Sequence, residues 1–366
     1  MTERDDLPSL HERAIVIDGL VVSRWSLEVF EAMRAGGITA ANCTVAVWEG
    51  FEAAMGNVAA FTRWFDEHSD LVRRVLTVDD VLAAKAEGRV GVILGWQNTS
   101  PIEDDLRRLA LFYDLGVRVV QLAYNTQNFV GTGCYESRDS GLSDFGREAV
   151  AELNRLGIVI DLSHVGPVTT RETVLASEVP VSFTHVCPAA LKAHPRNKSD
   201  EEIRLVGKGG GMVGLTPFPW FLSEPTLGAY LDAVEHVIGV VGEEHVGIGT
   251  DFIEGHGDDF VEWIMRDKGY ARLLTATPLA ELHVVMPEGI GRLAEWPNLT
   301  AAMEARGWTE TRILRLLGGN WLRYLGDVWV AKSTSGAGRS SRSAPRAPSA
   351  EPLAEHLGAT AQREQL

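Results

Sequence analysis

The 366-residue sequence predicts a closed (β/α)₈ barrel of the TIM type, in the α/β class. Three observations carry that expectation. Short β-branched apolar runs recur eight times without polar alternation, as suits strands buried on both faces of a parallel sheet. Most of these runs are followed by a helical pattern with its own start and stop signals. The turn after the first run, Asp18-Gly19-Leu20-Val21-Val22, lacks the glycine-rich phosphate loop of an open doubly wound sheet, the rival architecture.

The eight predicted strands are 14–18, 38–47, 90–95, 117–122, 158–162, 179–184, 212–216 and 246–250. Between them, Ser100-Pro101-Ile102-Glu103 reads as an N-cap, a first-turn proline and a capping-box glutamate. The helix expected there turns Leu106, Leu109 and Tyr113 to one face and stops at Gly116. Ser143 is expected to cap a helix with Phe145, Ala149, Leu153 and Leu156 inward, ended by Gly157. A second capping box stands at Ser199 and Glu202. Residues 251–331 supply the last helices, so the barrel domain is expected over 1–331.

From Lys332 onward the chain holds Ser, Gly, Ala, Pro and Arg, and no aliphatic residue larger than Ala as far as Ala350. Such a stretch buries too little surface to offset its ordering entropy, so 332–366 is expected to be a flexible, solvated tail. The tail carries five Lys or Arg and three Asp or Glu, a net +2, which leaves −18 on the body.

Composition excludes several classes of function. With 45% hydrophobic and 23% charged residues the chain is globular. A formal charge of −16 argues against nucleic-acid binding, which rests on neutralising phosphates. No apolar run approaches the ~18 residues of a membrane span, and the acidic N-terminal MTERDDLPSLHERA is no secretory signal. Cys43, Cys134 and Cys187 form no CxxC, which disfavours a disulfide framework or a thiolate zinc site. A soluble protein of a reducing compartment, the cytoplasm, is the expectation.

In a barrel, chemistry collects where the C-terminal ends of the strands converge. Those ends carry Asp18, Gln97, Tyr124, His164, His185 and Asp251. Two histidines on adjacent strands with a facing carboxylate suit a catalytic zinc that keeps an open position. Taken singly, each such histidine also fits a hydrogen-bonded structural role, and Asp251 fits a helix cap. Arg196, in His194-Pro195-Arg196-Asn197, could grip a carboxylate through two parallel hydrogen bonds or pair with a surface acid. His256 is ambiguous, while His11, His68, His236, His245, His283 and His356 read as structural.

Several of these segments together resemble the membrane (renal) dipeptidase family. They are Gly141-Leu142-Ser143-Asp144-Phe145-Gly146, Asn154-Arg155-Leu156-Gly157, Ile160-Asp161-Leu162-Ser163-His164-Val165 and Thr184-His185 followed by His194-Pro195-Arg196-Asn197. Gly247-Ile248-Gly249-Thr250-Asp251-Phe252 and Gly318-Gly319-Asn320-Trp321-Leu322-Arg323 complete the set, in consistent order from about Ile15 to Val330. The resemblance implies a metallo-dependent barrel hydrolase that cleaves dipeptides, usually with two zinc ions bridged by a glutamate, and commonly a homodimer. It makes His164 and His185 metal ligands, Arg196 the binder of the substrate carboxylate, and Asp251 the proton carrier. Tyr124 stands where the family places a substrate-contacting histidine.

The sequence also departs from that family. The strand-one His-x-Asp motif is replaced by Leu20 and Val22, and the bridging glutamate by Gln97. One zinc is therefore expected rather than two, with Asp251 or Asp18 as a third ligand, and a metal-free site is the remaining case. The alternatives to a dipeptidase are a one-metal amidohydrolase with a non-peptide substrate and a degenerate barrel kept as a binding module.

Overall fold

The computed structural model of the protein describes residues 8–275 and 283–335. In chain order the elements are α1 (Leu10–Arg13), β1 (Ile17–Val21), α2 (Leu27–Ala35), β2 (Ala40–Ala46), α3 (Phe51–Glu67), β3 (Val72–Arg74), α4 (Val78–Glu87), β4 (Val90–Trp96), α5 (Arg107–Asp114), β5 (Val117–Gln121), α6 (Asp144–Leu156), β6 (Val159–Asp161), α7 (Pro167–Ala176), β7 (Ser182–Val186), α8 (Asp200–Lys208), β8 (Met212–Leu215), α9 (Leu227–Val241), β9 (Val246–Ile248), α10 (Asp258–Ile264), α11 (Trp296–Ala305), α12 (Glu310–Leu314) and α13 (Asn320–Ser335).

Eight strands run parallel in the order β1-β2-β4-β5-β6-β7-β8-β9. The backbone after β9 then returns to β1: the Asp251 amide donates to the Leu20 carbonyl at 2.9 Å and the Val22 amide to the Phe252 carbonyl at 3.0 Å. The sheet closes, as expected of a (β/α)₈ barrel.

All eight expected strands form, and two begin three residues into their apolar runs. Ala14 caps the one-turn helix α1, its amide committed to Leu10 and His11, so β1 begins at Ile17. Pro180 has no amide to donate, and β7 begins only at Ser182. β3 was not anticipated; it pairs with the first half of β4, at Val90 to Val92, while β5 takes the second half, from Leu94.

The expected caps at Ser143 and Ser199 are in place, and Gly157 ends α6 in the left-handed region at φ 72°. The helix expected from Ser100 is different. Ser100–Ile102 makes a single 3₁₀ turn, Glu103 breaks it at φ 50°, and α5 starts only at Arg107. The Glu103 carboxylate accepts from the Phe51 amide at 3.3 Å and from Arg108 at 2.5 Å instead of closing a capping box. Tertiary partners outcompete the local motif.

Trp321 plugs the bottom of the barrel, donating from its indole to the Ile248 carbonyl at 3.0 Å. The barrel is narrow above it: a Cβ at Gly214 or Gly249 would overlap the Thr184 carbonyl oxygen, so only glycine fits at either position. α13 continues through Ser335, past the end expected for the barrel domain; 336–366 of the expected tail lie outside the described residues. Among the described residues no helix is long and apolar enough to cross a membrane.

Candidate active site

Two carboxylates, one ending β6 and one inside β1, stitch neighbouring strands together. Asp161, at the end of β6, accepts from the Ser163 amide and hydroxyl at 3.0 and 2.6 Å and from the Thr184 amide and hydroxyl at 2.9 and 2.6 Å. Asp18, in β1, accepts from the Leu20 amide at 3.1 Å and from the Thr250 amide and hydroxyl at 2.8 and 2.6 Å. Burial raises both carboxyls, Asp18 to about 7, while these hydrogen bonds pull in the opposite direction.

The β6–β7 stitch aims a histidine. Thr184 spends its proton on Asp161, so its oxygen is left to accept from His185 Nδ1 at 2.7 Å. His185 therefore carries its proton on Nδ1 and presents a bare Nε2. His164, just beyond β6, holds its Nδ1 2.7 Å from the Asn125 side-chain oxygen, which fixes the same tautomer. The two Nε2 atoms face each other at 2.8 Å. Burial, then the nearby charge of Arg196, holds both imidazoles well below the usual histidine range. Two lone pairs so placed call for a cation or a shared proton between them.

Arg196 lies beneath this pair. Its guanidinium donates to the Ser163 carbonyl and, at 3.0 Å, to the His185 carbonyl, and it lies 5.2 Å from the centre of the Phe221 ring. It is 1% exposed, its Nε–H has no partner, and no ion pair to it occurs among the described residues. A buried cation without a counter-ion is costly unless an anion arrives to meet it.

Tyr124 stacks on His164 with ring centres 4.1 Å apart, and Trp48 meets Tyr124 edge-on. Asn125 and Asp251 both hold left-handed backbone, at φ 59° and 58°, conformations that cost energy and gather at functional positions. The Asp251 carboxylate accepts no hydrogen bond among the described residues, and burial raises it to about 7, with Arg196 opposing.

His164, Arg196, Tyr124 and Asp251 line one cavity of about 50 Å³. α10 roofs it with Phe260, Val261 and Ile264, and Phe218, Phe221 and Ile253 complete much of the apolar wall. His185 supports His164 from below. Three expected site residues, His185, Asp18 and Gln97, do not line this cavity. The Asp18 carboxylate accepts from Thr250 and Leu20. Gln97 is buried, its amide nitrogen donating to the Thr44 hydroxyl at 3.1 Å.

Of the donors a metal ion would need, His164 and His185 stand side by side. Both imidazoles carry the outer-shell hydrogen bonds, from Asn125 and from Thr184 with Asp161, that orient metal-bound histidines. Two nitrogens on one tetrahedral zinc stand about 3.3 Å apart, so the rings need to part by only about 0.5 Å. Leu20 and Val22 are buried hydrocarbon and Gln97 is neutral, so nothing there answers a second cation. Among the described residues no group of three or more His, Cys, Asp or Glu is placed to hold a metal.

Asn125, Asp161, Thr184 and the α10 roof were not singled out from the sequence. Asn125 follows Tyr124 at a strand end, and Asp161 and Thr184 adjoin the two histidine motifs, so adjacency was the available signal.

The membrane dipeptidase model, peptidase family M19, matches residues 10–279. The dipeptidase verJ of Clonostachys rogersoniana is 29% identical over 287 residues, 77% of this chain and 67% of that protein. The crystal structure of an amidohydrolase from Pseudomonas aeruginosa superposes with a TM-score of 0.84 at 50% identity, covering 87% of this chain and 98% of that one. The probable dipeptidase PvdM from the same organism shares the fold, with a TM-score of 0.74 at 21% identity over 88% of this chain and 97% of its own. With the family model matched over that span, the chain belongs to the membrane dipeptidase family, peptidase family M19.

Proposed function

We propose that the protein is a one-zinc hydrolase that cleaves the amide bond of dipeptides or similar small amides bearing a free carboxylate. Membership of a metal-dependent dipeptidase family supplies the reaction class. The observation that carries the site assignment is the pair of bare Nε2 atoms, His164 and His185, 2.8 Å apart above an unpaired guanidinium.

His164 and His185 would hold the ion, oriented by Asn125 and by Thr184 with Asp161. A zinc ion there supplies a Lewis acid that polarises the amide carbonyl towards attack by water. Arg196 receives the substrate carboxylate, the anion its buried charge lacks. Asp251 takes a proton from the attacking water and returns it to the leaving amine. A carboxyl raised to about 7 can do both near neutrality. Tyr124, stacked on His164, and α10 overhead keep bulk water from the reacting atoms. A homodimer in a reducing compartment belongs to the same reading, supported by the family resemblance and by three unpaired cysteines.

Elemental analysis of protein purified without chelator, beside His185→Ala, tests the metal assignment. About one zinc per chain is expected in the native protein and almost none in the variant; near-zero metal in both removes the reading.

A further inference from the structure

We infer that the acyl half of the substrate is uncharged and hydrophobic, so that the protein acts on N-acyl amino acids in preference to dipeptides with a free α-ammonium group. This inference rests on the function proposed above and narrows its substrate class.

Charge in the cavity is the first ground. Arg196 and Asp251 are the only charged side chains that line it among the described residues. Arg196 accounts for one carboxylate on the substrate. Asp251 is committed to the proton that passes from water to the leaving amine. An α-ammonium group would need a further carboxylate or a cluster of free carbonyls, because a buried ammonium without a partner is strongly disfavoured.

The nearby acceptors are already in use. The Ser163 and His185 carbonyls take the Arg196 guanidinium. The Phe252 carbonyl takes the Val22 amide and the Ser23 hydroxyl.

The wall itself is the second ground. Val22 lines the cavity and packs with Val47, Tyr124 and Phe260 in a small apolar cluster extended by Trp48 and Ile253. Val22 and Phe260 also line a neighbouring open cavity of about 340 Å³, where Trp25, Phe61, Trp64 and Trp263 stand beside the polar Arg24, Thr44, Glu49 and Asn57. A hydrocarbon acyl chain finds apolar surface on both sides of that partition, and burying it there is favourable in proportion to its area.

In the reaction, water adds to the acyl carbonyl and the carbon–nitrogen bond breaks. The hydroxyl stays on the acyl carbon, and the proton released from water passes through Asp251 to the leaving nitrogen. The products are a hydrophobic carboxylic acid and a free amino acid.

A matched pair isolates the group in question: Phe-Ala, and 3-phenylpropionyl-Ala, which differs only by lacking the α-ammonium. Zinc-loaded protein is assayed for kcat/KM, and chelator-treated protein is titrated with both compounds by calorimetry. 3-Phenylpropionyl-alaninamide reports on the carboxylate. We expect at least a hundredfold preference for the acyl compound in both measurements. The preference should shrink above pH ~8, where the dipeptide's amino group loses its proton. The carboxamide should lose most of its binding. Equal or better use of Phe-Ala overturns this inference and leaves the proposed function standing. Failure of both carboxylates to bind or react removes the inference and the proposed function together.

Discussion

His164 and His185 point their Nε2 atoms at each other across 2.8 Å, and each ring is turned to that position by a hydrogen bond from its far nitrogen. The barrel register that makes Asp161 meet Thr184 also makes the two imidazoles meet.

Asn125→Ala removes the acceptor that holds the His164 proton on Nδ1. Zinc affinity is expected to fall about 10- to 100-fold with little change in the fold. Competition with a chromophoric chelator measures it, and an unchanged affinity would show that the tautomer is set elsewhere.

The two stitching carboxylates allow a controlled comparison. Thr184→Val and Thr250→Val each delete the hydroxyl that serves a buried aspartate, at a cost of about 1–3 kcal/mol. Only Thr184 touches a histidine. Denaturant unfolding should place the two variants close together, while metal titration should show a loss in Thr184→Val alone.

Asp251 contributes a pH-dependent instability. Its carboxyl moves from 3.8 to about 7 on folding. Between those values the unfolded chain has lost the proton that the native protein keeps, so native stability falls as pH rises through that window and then levels off. Asp251→Asn, measured without metal, should match the parent below pH ~4 and exceed it by on the order of 4 kcal/mol at pH 8. Hydrolysis should be lost. A stability difference that does not change with pH would contradict the buried carboxyl's role.

The second metal position should be recoverable. Leu20→His with Val22→Asp and Gln97→Glu supplies an imidazole and two carboxylates where hydrocarbon and an amide now stand. Metal stoichiometry by elemental analysis is expected to rise from about one per chain to about two. A variant that folds and still binds one ion would place the obstacle in the surrounding geometry rather than in the donors.

Much of this molecule was legible from short stretches of chain. The runs 90–95 and 117–122 became β4 and β5 almost residue for residue, because a strand covered on both faces needs only unbroken apolar sequence. The caps at Ser143 and Ser199 were legible because a helix start is satisfied within four residues. The same local logic failed at Ser100, where Phe51 and Arg108 claimed the Glu103 carboxylate, and neither partner is visible from the motif itself.

The barrel, its eight closing strands and the loss of charge at positions 20, 22 and 97 were readable from the order of amino acids. What each charged or titratable group does came from how the folded chain packs. Asp18 lies inside β1 and Asp251 just beyond β9, yet the Asp18 carboxylate is spent on Thr250 and Leu20 while the Asp251 carboxylate accepts no hydrogen bond among the described residues and lines the cavity. That division depends on strand register and on the left-handed turn at Asp251, which are set by packing across hundreds of residues of chain. Local composition carries no record of either.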